Sequence, residues 1–68
     1  MKYAVVFEQG PSSVGATVPD LPGCLSDGES REEAARNIAD AIAAWIDEAK
    51  KLGREIPEPS LHLAMAGE

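Results

Sequence analysis

The chain has one cysteine, one histidine and three aromatic residues, and each scarcity removes a class of function. Cys24 closes no internal disulfide, and with His62 as the single, distant imidazole it cannot supply the ligand cluster of a structural zinc site. The sequence therefore implies no metal and no cofactor. Basic residues are also few: six against twelve acidic ones leave a formal net charge of −6, which repels a phosphate backbone and suits a basic partner. Direct nucleic-acid binding is not expected. No apolar run is long enough to span a bilayer, and MKYAVVFEQG lacks the extended apolar region and cleavage site of a signal peptide. The expected location is the cytoplasm, which an unpaired thiol suits.

With Tyr3, Phe7 and Trp45 as the aromatic residues, the core must be built from Val, Ile, Leu and Ala. The 68 residues make a single domain over 1–68, near the size at which one core barely sustains a monomer. Assembly into a homo-dimer or tetramer is the expectation that follows. The first predicted strand is Lys2 to Glu8, with Tyr3, Val5 and Phe7 on one face and Ala4 and Val6 on the other. Both faces are apolar, so a strand covered on both sides is expected. QGPSS then makes a turn, with Gly10 free to take a positive φ, and Val14 to Val18 resumes the alternation as the second arm of an antiparallel hairpin. Val14, Ala16 and Val18 share one face; Gly15 and Thr17 make the other small and polar. After Pro19, Pro22 and the bend allowed by Gly23, a short third strand is expected at Cys24 to Ser26.

Ser30 followed by Glu33 forms a capping box, and Glu32 and Glu33 put negative charge where a helix N-terminus favours it. The apolar stripe of the helix reads Ala34, Ile38, Ala41, Ile42, Trp45, Ala49 and Leu52, at spacings of three and four. Trp45 is the expected core anchor. Gly53 stands where a left-handed cap ends the helix. REIPEPS then forms a proline-punctuated linker, and Leu61 to Met65 returns as a final strand with Leu61, Leu63 and Met65 on one face.

The stretch PDLPGCLSDGES, residues 19–30, places one thiol among Asp20, Asp27 and Glu29, as a catalytic loop would. No histidine lies nearby to activate Cys24, and free cysteine is among the most buried residue types, so a small core residue is the better reading. His62, between Leu61 and Leu63, reads as a strand-surface residue. The three carboxylates lack the graded spacing of a calcium loop, and Asp27 and Gly28 read as turn formers.

The order YAVVFE, hairpin, P-D-L-P-G-C (Pro19 to Cys24), S-D-G-E-S, R-E-E-A with a long helix, then G-R-E-I-P-E-P-S resembles the HicB-like antitoxins from about residue 2 to residue 60. The resemblance implies an α+β fold: a partial ribonuclease-H-like β-β-β-α-β arrangement, with an antiparallel sheet covered by one long helix. It implies no enzyme, since carboxylates are missing from the strand centres where the fold's nuclease relatives hold metal. Its implied partner is a small basic HicA-like toxin that cleaves mRNA, which this chain would bind and neutralise. Longer relatives add a C-terminal DNA-binding module, for which a chain ending at Glu68 leaves no room. On this reading Asp20, Asp27 and Glu29 are the candidate partner-binding residues, and the P-D-L-P-G-C motif is architectural. The alternative is a stand-alone homo-oligomeric scaffold or small-ligand-binding module without a toxin; a metal-dependent hydrolase ranks below both.

Overall fold

The structure is a computed structural model that describes residues 3–59. Strands β1 (Val6–Gln9), β2 (Val14–Thr17) and β3 (Leu25–Gly28) precede one helix, α1 (Arg31–Lys51). The strands form an antiparallel meander in the order β1-β2-β3, and the helix lies along one face of the sheet, so the fold is α+β in two layers.

The hairpin is closed around Pro11 and Ser12 by the Gly10 N–H donating to the Ser13 carbonyl at 2.7 Å. Gly10 makes no use of its freedom to take a positive φ; the positive values belong to Gly23 and Gly53. Between β2 and β3 the chain makes two consecutive turns hinged on Leu21. The Leu21 N–H donates to the Val18 carbonyl at 3.1 Å, and the Cys24 N–H donates to the Leu21 carbonyl at 3.0 Å. Each turn has proline as its second residue, where a fixed φ costs nothing. In the second, Gly23 follows Pro22 at φ 81°, the geometry of a type II turn. The Val18 N–H then reaches the Cys24 carbonyl at 3.0 Å, so the P-D-L-P-G-C motif is a closed loop that restarts the ladder. Leu21, its pivot, is 0% exposed, and the sequence pattern gave no warning that this residue seats the loop in the core.

The third strand begins one residue later than expected and runs through Asp27 and Gly28, which are strand residues rather than turn formers. Gly28 is required by proximity: a Cβ there would lie 2.6 Å from the Ala34 nitrogen. The end of β3 thus lies against the first turn of α1. The capping expectation holds in part. The Ser30 hydroxyl accepts from the Glu33 N–H at 3.1 Å, but the Glu33 carboxylate takes the N–H of Glu29 rather than of Ser30. At the other end, the Arg54 N–H donates to the Ala49 carbonyl and the Gly53 N–H to the Lys50 carbonyl, with Gly53 at φ 69°, which is a Schellman termination.

The core joins Val14, Ala16 and Val18 of the β2 region, Leu21 and Cys24 of the loop, Tyr3, and Ala34 and Ile38 of the helix. Ala41, Ile42 and Trp45 pack against it as expected, joined by Ile46, which the stripe omitted. Leu52 departs from the stripe, 59% exposed, because it is the cap residue at which the helix leaves the sheet. Trp45 is only partly buried and acts as a clasp: its indole N–H donates to the Pro22 carbonyl at 2.9 Å, tying the loop to the helix. The first strand starts at Val6; among the described residues one helix shields one face of it, and Val6 on the other is 54% exposed, short of the expected cover on both sides. The Tyr3 hydroxyl donates to the Pro57 carbonyl and so holds the post-helix segment beside the start of β1. The expected strand Leu61 to Met65 and His62 lie outside the described residues.

Candidate functional site

The register of the meander determines what each face of the sheet offers. Val6, Thr17 and Leu25 align in one row across the three strands, and Glu8, Gly15 and Asp27 in the next. Alternation puts both rows on the face turned away from the helix, since their neighbours Val14 and Ala16 are in the core. Exposure agrees: Leu25 is 65% exposed, and Val6, Glu8, Thr17 and Asp27 are all exposed. The helix-free face therefore sets two apolar side chains, Val6 and Leu25, on either side of Thr17, beside two carboxylates that flank a glycine. A Cβ added at Gly15 would meet only the Glu8 carbonyl oxygen, at 3.8 Å, so the space between the carboxylates is an open trough.

The outer edge of β3 is partly closed. The Val18 to Cys24 bond fixes the ladder so that Ser26 and Gly28 turn their backbone groups toward β2, while Leu25 and Asp27 turn theirs outward. The Asp27 carbonyl is occupied by the Asn37 side-chain amide at 2.7 Å. Beside Leu25, a groove of about 420 Å³ opens between the loop and the helix, with Trp45, Ala41 and Ala44 along its helical wall.

The three carboxylates singled out in the sequence do not form one cluster. Asp27 lies on the helix-free face and Glu29 is exposed just beyond it, at the start of the helix cap. Asp20 is half-buried in the first proline turn, beyond the opposite end of β3. Glu8, brought level with Asp27 by strand pairing, was missed, because register between strands is not written in local spacing. Cys24 is buried, and loss of hydration pushes its thiol above the ordinary 9.0, so it is held as the neutral, unreactive form. Among the described residues no group of three or more His, Cys, Asp or Glu side chains could hold a metal ion. No helix among them is long and apolar enough to cross a membrane.

A sequence model for the HicB-like antitoxins of bacterial toxin–antitoxin systems matches residues 3–66. The chain belongs to the HicB-like antitoxin family. It is similar to the Antitoxin HicB 2 of Photorhabdus laumondii, 38% identical over 60 residues that make up 88% of this chain and 43% of that protein. A UPF0150 protein of Thermoplasma acidophilum is 40% identical over 58 residues, 84% of each chain. A UPF0150 protein of Helicobacter pylori is 44% identical over 46 residues, 68% of this chain and 64% of its own. This HicB-like chain thus spans less than half of the Photorhabdus antitoxin and most of the Thermoplasma protein. No solved structure matches it.

Proposed function

We propose that this chain is the antitoxin of a type II toxin–antitoxin pair and that it binds and neutralises a small, basic, HicA-like toxin that cleaves mRNA. The observation that carries this reading is the family match across residues 3–66. The net charge of −6 supports it, because opposite potentials speed encounter with a cationic protein and disfavour wrong partners. In this reading the chain performs no chemistry of its own and works in the cytoplasm; neutralisation is steric and electrostatic.

The test is co-expression of the tagged chain with the reading frame beside its gene, followed by RNA cleavage by the captured protein with and without this chain. A short basic partner whose cleavage is suppressed is the expected result. Absence of any partner, together with a single homo-oligomeric species, would instead identify a stand-alone scaffold.

A further inference from the structure

We propose that the helix-free face of the sheet is the surface that receives the toxin, and that it holds a lysine or arginine of the partner in the trough over Gly15, between Glu8 and Asp27. This assignment rests on the antitoxin reading above and names the surface that performs it. Adjacent strands are about 4.8 Å apart, so the two carboxylates spring from backbones about 10 Å apart, with a residue lacking a side chain between them. The aliphatic stem of a long cationic side chain fits along that trough, and its head then reaches either carboxylate. In the adjoining row Val6 and Leu25, on either side of Thr17, give the partner an apolar footing beside the charge.

A second copy of this chain is a poorer occupant. Two such faces stacked on each other would bring the same carboxylates together across a two-fold axis. The face is also small: four residues on each of three strands cover roughly 200 Å², against about 800 Å² per partner in a standard interface. Apolar burial alone would not hold a homodimer there. A cationic partner gains from the charge as well, and uses the face as the anchor of a wider contact.

The experiment measures binding of the full chain to the basic protein encoded beside it, for wild type and four variants, with circular dichroism and thermal midpoints recorded for each. Glu8→Lys combined with Asp27→Lys reverses the trough's charge, and Gly15→Val fills the trough without changing charge. Leu25→Glu alters the apolar footing, and Ala43→Lys on the exposed side of the helix is the control. The expected result is at least a tenfold loss of affinity for the charge-reversed chain, a clear loss for Gly15→Val, and wild-type binding for Ala43→Lys, with the fold retained throughout. Wild-type binding by both trough variants would overturn the surface assignment and leave the antitoxin reading standing. If Leu25→Glu dissociates a homo-oligomer without weakening the toxin complex, a second copy owns this face. If it lowers the thermal midpoint of a monomer by several degrees, Leu25 is covered from within the chain; both outcomes overturn the proposal. If wild type binds no basic partner, the antitoxin reading itself fails and takes the assignment with it.

Discussion

Gly28 and Leu21 show how closely this molecule packs: the helix backbone lies against the first, and the second is 0% exposed. At Gly28 the helix backbone is so close that even a methyl group cannot enter, so Gly28→Ala must push the first turn of α1 away from β3. The expected cost is about 1–3 kcal/mol, measured by urea unfolding, whereas Gly15→Ala, which faces open space, stays within about 0.5 kcal/mol. The difference is not written in the chain itself: Gly15 lies in an alternating strand pattern and Gly28 in a turn-like one, and only the approach of the helix makes a Cβ intolerable at Gly28. Cys24 is the opposite case, a residue whose burial was legible from its chemical type and whose burial sets its titration. Because the fold favours the neutral thiol, that contribution to stability is complete below 9.0, the ordinary value, and is lost as pH rises through the higher native value. Unfolding curves recorded across this alkaline range should show wild type losing stability more steeply than Cys24→Ala.

Both ends of α1 are specified by short local signals, which is why the helix was readable to within a residue or two. Ser30, the acidic first turn and Gly53 act through interactions spanning only a few positions. Removing the hydroxyl in Ser30→Ala leaves the Glu33 N–H without its acceptor, at a cost of about 1 kcal/mol, or about 4–8 °C in the midpoint followed by circular dichroism. The strands were placed less well because their limits depend on partners. Asp27 and Gly28 have the composition of a turn, yet pairing with Gly15 and Val14 draws them into β3. Arg31 shows a similar override: a cation in the first helical turn opposes the dipole, but its guanidinium lies 4.4 Å from the centre of the Phe7 ring.

At the scale of the whole molecule, the two layers formed by the described residues leave one side of the sheet without a helix, and that follows from arithmetic rather than motif. One helix covers one face, so an apolar residue such as Val6 or Leu25 on the other face stays in contact with water until something else arrives. Sequence alternation identified the faces of β2 correctly, but which apolar residues would lack a cover depends on the number of layers, which local pattern does not encode. The acidic balance, by contrast, was legible from composition and predicts how association behaves. Raising salt from about 0.05 to about 0.5 M should slow association with a basic partner by about tenfold or more in stopped-flow measurements, while dissociation changes much less. The Asn37 amide seated on the Asp27 carbonyl has a consequence of another kind. An incoming strand needs the outward donors and acceptors of β3 in sequence, and here one acceptor is already engaged by the protein's own helix. The edge is a poorer template for strand-on-strand growth, the contact from which open-ended stacking into fibres would have to start.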